Sequence, residues 1–237
     1  MKHRYFGDIN DYRKYGLLRA LSQATGLSLG ICWLLTADDS GTDGEFRRYL
    51  HEPERWRQYD PDLYDALQRL RDPTIARSVT HAEGWQLLPG ATYYQAVLHD
   101  DIEARRAYFR DGWDVMAECP LLFFDPDNGL EVSSVTRGSK DSSKYLYWEE
   151  ARDAFTRGHS LVVYQHFPRQ ERTGYTTRLV QEGIARLGAT TVDTFATAHV
   201  LFLLFAQPEH ATGLRQAHDL ILSRWHGQIR PVAHVDS

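Results

Sequence analysis

Cys119-Pro120-Leu121-Leu122-Phe123-Phe124-Asp125-Pro126-Asp127-Asn128-Gly129-Leu130-Glu131 decides how this chain is read. Leu121 to Phe124 is apolar without alternation, the pattern of a strand covered on both faces, as in a parallel sheet flanked by helices. The strand ends abruptly at Asp125. Pro126 fixes the direction of exit, and Asn128-Gly129 suits a tight turn that needs a positive φ. Asp125, Asp127 and Glu131 crowd three carboxylates into seven residues, and such groups repel unless a cation or a proton lies among them. A plain turn has little use for all three.

Two further apolar runs share this form. Leu27 to Leu35 ends in the acidic, turn-rich Thr36-Ala37-Asp38-Asp39-Ser40-Gly41-Thr42-Asp43-Gly44, and Ser160 to Tyr164 ends in Gln165-His166-Phe167-Pro168-Arg169. Helical patterns separate the runs. One begins near Asp11 and stops at Gly26, others cover Tyr147 to Arg157 and Tyr175 to Leu187, and a last one covers about Leu214 to Trp225. Thr190 to Phe195 and His199 to Ala206 read as two strands close enough to form a hairpin. The alternation predicts a three-layer, Rossmann-like α/β fold with a mostly parallel sheet and a C-terminal hairpin strand. Residues 45–118 read as a mainly helical insertion within a single domain spanning 1–237.

The bulk properties fit that class. The chain has 237 residues, 42% hydrophobic and 25% charged, with a formal net charge of -5. This balance argues against a protein that coats nucleic acid by charge alone, and leaves room for a local basic surface. Cys32 and Cys119 lie beside apolar runs and read as buried, unpaired thiols. The opening residues carry no apolar stretch of signal-peptide type, and no apolar run approaches the ~20 residues of a membrane span. The expected location is cytoplasmic, with no membrane partner.

Open α/β sheets bind ligands beyond the carboxyl ends of their strands. The candidate functional residues are therefore those that follow the three apolar runs. Asp125, Asp127, Asn128 and His166 are candidate catalytic residues, His166 because an imidazole titrates near neutrality. Asp125, Asp127 and Glu131 offer hard oxygen ligands for a magnesium ion. Thr36, Asp38, Asp39 and Gly41 are expected at a cofactor pocket, although the loop lacks a G-x-G-x-x-G fingerprint. Lys14, Gln165 and Arg169 are candidate substrate-binding residues.

Asp11-Tyr12-Arg13-Lys14-Tyr15-Gly16-Leu17-Leu18, Leu88-Pro89-Gly90 and Phe124-Asp125-Pro126 occur in an order that resembles the ribosomal RNA adenine-N6 methyltransferase family. The layout also resembles the three-Cys-motif partner proteins. The resemblance implies a methyltransferase-like fold, S-adenosylmethionine bound near Thr36 to Gly44, and Asp125-Pro126 in the place of an Asp-Pro-Pro-Tyr motif that receives the target amine. Here Asp127-Asn128 replaces the proline and aromatic, so the stacking platform is missing, and the loop after the first strand lacks the small-residue turn for the donor.

Three readings follow. The first is a methyltransferase-like enzyme acting on nucleic acid or a nucleotide, with Asp125 and Asn128 holding the target amine. The second is a magnesium-dependent nuclease or phosphodiesterase, with Asp125, Asp127 and Glu131 on the metal and His166 activating water. The third is a non-catalytic methyltransferase-like subunit with a protein partner.

Overall fold

The computed structural model describes residues 1–37 and 46–236. Helix α1 (Ile9–Thr25) leads into β1 (Leu29–Cys32). The segment that follows carries α2 (Pro53–Trp56), α3 (Pro61–Leu67) and α4 (Thr80–Gly84), then a short strand β2 (Thr92–Tyr94) and helix α5 (Ile102–Val115). Next come β3 (Leu121–Phe124) and a two-stranded ribbon of β4 (Gly129–Leu130) and β5 (Tyr145–Leu146). The chain continues through α6 (Trp148–Thr156), β6 (Ser160–His166), α7 (Arg172–Leu187), β7 (Thr191–Ala196), β8 (Val200–Ala206), α8 (Pro208–Arg224) and β9 (Arg230–Asp236).

The seven-stranded sheet has the order β2-β1-β3-β6-β8-β7-β9. Strands β2, β1, β3 and β6 run parallel, while β8 is antiparallel to both β6 and β7. The expected parallel core and hairpin strand are both present. The insertion is not helical throughout, because β2 leaves it to pair with β1 at the sheet edge. At the other edge β9 lies antiparallel to β7. Pro231 and four exposed residues hid β9 from a reading based on apolar runs.

The uninterrupted apolar strands are explained by two cores. Leu121 and Phe123 join Ile31, Val162, Tyr164 and Phe202 in a core under α1, α8 and the insertion. Leu122 and Phe124 join Cys32, Val163 and Leu203 in a second core beneath α5, α6 and α7. Period-2 alternation thus sends successive apolar residues to opposite helical layers. Both cysteines are buried and free. No helix among the described residues is long and apolar enough to cross a membrane.

One cap sets the start of α1. Asp8 accepts hydrogen bonds from the backbone N–H groups of Asn10 (2.7 Å) and Asp11 (3.0 Å), which satisfies two of the helix's open donors. The helix therefore begins before Asp11, and Asp11 and Lys14 lie on its buried face. Chain order reverses between β1 and β3, since β2 falls on one side of β1 and β3 on the other. The carboxyl ends of β1 and β3 thus bound a switch-point crevice, the place where such sheets receive ligands.

Candidate functional site

Asp125 leaves β3 at the floor of this crevice, 3% exposed. Its carboxylate meets the Lys14 ammonium at 2.7 Å, and Asp11 meets the same ammonium at 2.6 Å. The rings of Tyr15, Trp33, Tyr164 and Phe123 surround Nζ at 5.2, 5.4, 5.5 and 6.0 Å from their centroids. Burial alone would lower the Lys14 pKa, but the two carboxylates outweigh it and hold it above the usual lysine range. Burial pushes Asp11 up to about 6; Lys14 opposes this, while Asp8 and Asp125 add to it. Lys14 is therefore an internal counter-ion rather than a group presented to substrate.

Asp127 is engaged elsewhere. Its carboxylate lies 2.6 Å from the Met1 amino group and 3.5 Å from Lys2 Nζ, and it accepts a hydrogen bond from Thr36 Oγ1 at 2.7 Å. Burial works to raise its pKa, and the neighbouring amino group, Thr36 and Lys2 bring the balance below the usual aspartate value. The Met1 amine also donates to the carbonyls of Asp125 (3.0 Å) and Leu34 (3.2 Å). Residues 1 and 2 thus fill the crevice between β1 and β3.

The Asn128-Gly129 turn has the predicted geometry, with Gly129 at φ +98°. It is clamped by Gln165, whose Oε1 accepts from Leu130 N at 2.7 Å while its Nε2 donates to the His166 carbonyl at 3.1 Å. A Cβ on Gly129 would stand 2.3 Å from that amide, so only glycine fits. Gln165 is consequently a fastening for the turn. Asn128 holds the turn to Lys144 through its backbone N–H (2.8 Å) and leaves its side chain exposed.

Beyond this turn opens a groove of about 1130 Å³, with Asn128, Gln165 and His166 at its inner end. Phe167 and Tyr175 supply partly exposed aromatic surface beside the buried Tyr147 and Trp148, and Arg137, Arg152, Arg178 and Arg186 supply positive charge. Arg137 and Arg178 pair with Glu149 (2.7 Å) and Glu182 (3.1 Å), and Arg186 lies 4.0 Å from Glu131. These pairs are solvent-exposed, so each holds its arginine by no more than about 1 kcal/mol. Arg152 has no carboxylate partner among the described residues. His166 presents its ring edge-on to Tyr164 at 5.1 Å. Surrounding protein atoms lower its pKa, and Asp125 and Asp127 only partly restore it, so a neutral imidazole faces the groove at pH 7.

A buried pair missed by sequence reasoning lies behind the groove and holds the backbone of Tyr145 and Tyr147, which line it. Arg105 on α5 grips Glu150 on α6 through two contacts (2.5 and 2.8 Å) and donates to the carbonyls of Ser142 (3.0 Å) and Tyr145 (2.7 Å). Glu150 in turn accepts from Tyr147 N at 3.0 Å. The clue in the sequence was an arginine on the apolar face that also carries Tyr108 and Phe109.

The candidate residues divide accordingly. Asn128 and His166 meet at one groove, joined by Glu131 on its wall. Asp125, Asp127 and Thr36 are committed to internal partners beside it. Arg169 is exposed and does not line the groove. Asp38, Asp39 and Gly41 lie outside the described residues. Among the described residues no three His, Cys, Asp or Glu side chains converge in a way that would hold a metal ion. Asp125, Asp127 and Glu131 each face cations of their own within the protein and do not fit a shared ion. No family model matches the sequence, and no curated protein matches it.

Proposed function

We propose that this chain acts on nucleic acid through a methyltransferase-like fold, receiving a single strand along the groove beside Asn128 and His166. The observation that carries this reading is the groove, which opens at the carboxyl ends of β3 and β6 and combines aromatic faces with weakly held arginines. Bases stack on aromatic rings whatever their identity, and arginines neutralise the phosphates between them. The parallel sheet with β8 reversed beside β6 supports the fold side of the reading.

The chemistry best suited to the inner end is modification of an exocyclic amine. In this reading the exposed Asn128 amide accepts a hydrogen bond from such an amine, and the His166 ring lining the same groove accepts a proton. Asp125, bound to Lys14, positions the turn from behind. S-adenosylmethionine is the expected donor, but residues 1 and 2 fill the switch-point crevice and Thr36 is spent on Asp127, so the described residues do not fit a donor there. That filled crevice favours one second reading, a nucleic-acid-binding subunit without its own catalysis.

Fluorescence anisotropy with labelled single-stranded and duplex RNA and DNA tests the proposal. Single strands should bind better, and Arg178→Gln with Arg186→Gln should flatten the salt dependence by roughly one logarithmic unit for each phosphate no longer neutralised. Transfer of a labelled methyl group from S-adenosylmethionine then separates the enzyme from the subunit. Binding that is absent, or indifferent to salt and to both arginines, overturns the groove as the nucleic-acid site.

A further inference from the structure

Arg106, Phe109, Arg110, Trp113 and Asp114 follow one another on α5 at steps of three, four or one, which puts them on one face of the helix. Asp153 on α6 and Arg157 at its end meet that face. Helix α5 leads from β2 into β3, and α6 leads into β6. Because these strands are parallel, both helices run from the carboxyl edge of the sheet down to its amino edge. Between them lies a cleft with two lobes of about 290 and 320 Å³. The buried rings of Phe109 and Trp113 floor both lobes, and the Arg105–Glu150 pair backs the first.

This cleft is continuous with the groove beside Asn128. Arg137 lines the groove and both lobes, and Arg152, which has no carboxylate partner among the described residues, lines the groove and one lobe. Farther down, Arg157 stands over the Trp113 ring at 5.8 Å, with Arg106 and Arg110 on the facing wall. Each of these three is paired only with a carboxylate of its own helix, Asp153 at 3.4 Å, Glu103 at 2.6 Å and Asp111 at 2.8 Å. All six side chains are exposed, so the pairs are weak and yield to a phosphate, which takes arginine in a bidentate grip. Asp114, on the last turn of α5, ends the run of arginines. Ile102 to Asp114 spans about 18 Å of helix, the length of about five stacked nucleotides at about 3.4 Å each.

We propose that the single strand received by the groove continues past Arg137 and Arg152 and down the α5–α6 cleft, with its phosphates on Arg106, Arg110 and Arg157. The inference rests on the single-strand reading of the groove and gives that strand a length and a direction. The two parts bind by different means. The groove offers partly exposed rings and the Asn128 side chain, whereas the rings of the cleft are its buried floor. The cleft therefore holds the flanking strand by its backbone, and the affinity gained there depends on salt and not on base identity. The path also turns, from the edge of the sheet to the side of the molecule. A single strand follows that turn freely, while a duplex resists bending over so short a distance.

Anisotropy with labelled oligothymidylates of about 4 to about 16 nucleotides, the range of single-strand sites, tests this. Affinity should rise roughly tenfold or more from the shortest strand to the longest as the cleft is filled. Arg110→Gln with Arg157→Gln changes two exposed side chains and should leave the melting temperature in place. It should remove most of the gain with length and flatten the salt dependence of the longest strand by about 1 to 2 logarithmic units, with the shortest strand bound as before. Arg110→Lys with Arg157→Lys should restore the slope, since lysine also neutralises phosphate. Affinity that stops rising at the shortest strands, or a glutamine variant that weakens short and long strands by the same factor, overturns the proposal. Arg178→Gln with Arg186→Gln separates this result from the reading beneath it. Strands of every length indifferent to that pair overturn the groove reading, whereas strands that respond to it but not to Arg110 and Arg157 overturn the cleft alone.

Discussion

Replacing Lys14 by Met removes one charge and keeps the length of the side chain. It deletes two ion pairs, 2.6 and 2.7 Å long, between atoms almost wholly shielded from water. At an effective dielectric near 20, a unit pair at that separation is worth roughly 6 kcal/mol gross. Desolvation of the three groups offsets most of it, and breaking a buried pair by deleting one partner leaves a net loss of about 3–5 kcal/mol. Sulfur packed among Tyr15, Trp33, Phe123 and Tyr164 returns a fraction of this. The loss should depend on pH in a defined direction. In the wild type, Asp11 titrates at about 6 in the folded state, so its contribution is most favourable below the unfolded carboxylate value and is lost as pH rises toward 6. Without Lys14, Asp11 holds its proton to higher pH, so the variant goes on losing about 1.4 kcal/mol per unit beyond 6. Urea denaturation at pH 5 and pH 8 measures both terms. The deficit should be small at pH 5 and reach several kcal/mol at pH 8, with partial recovery on adding Asp11→Asn. A deficit below about 1 kcal/mol at pH 8, the value for an exposed pair, refutes the counter-ion assignment and returns Lys14 to the substrate.

Two further outcomes follow from the groove's supports. Gly129→Ala should destabilise the fold by about 1–3 kcal/mol, because it combines a strained φ with a clash against Gln165, and it should weaken single-strand binding in the same anisotropy assay. Arg105→Met should cost about 3–5 kcal/mol by leaving Glu150 buried and unpaired, and adding Glu150→Gln should recover part of that in thermal melts.

What the sequence made legible follows from how each feature is encoded. The parallel core could be read because Leu121 to Phe124 and Ser160 to Tyr164 face helices on both sides, which forces continuous apolarity. The Asn128-Gly129 turn could be read because a positive φ selects its own residue types. Strands β2 and β9 escaped because an edge strand answers to one neighbour and to solvent, so its composition is mixed. The site was harder for a different reason. Charged residues at strand ends look alike whether they face solvent or one another, and only the third dimension separates His166, on the groove, from Asp125, sealed against Lys14.

That separation gives the carboxylates a different role from the one their spacing suggested. Asp125, Asp127 and Glu131 are close in sequence but face separate cations: Lys14 from α1, the Met1 amine and Lys2 at the start of the chain, and Arg186 from α7. The repulsion expected of three neighbouring carboxylates is thus relieved by elements drawn from three parts of the chain. The stretch after β3 works as a fastening that joins α1, segment 1–7 and α7 to one strand end. It leaves the Asn128 side chain exposed at the groove, which the His166 ring at the end of β6 also lines. A change at Lys14 or Asp127 should therefore reach the groove through the position of the Asn128 turn rather than by touching substrate. Saturation binding of a labelled single strand to Asp127→Asn, expected to lose affinity without losing its salt slope, distinguishes displacement of the turn from removal of a phosphate-binding group.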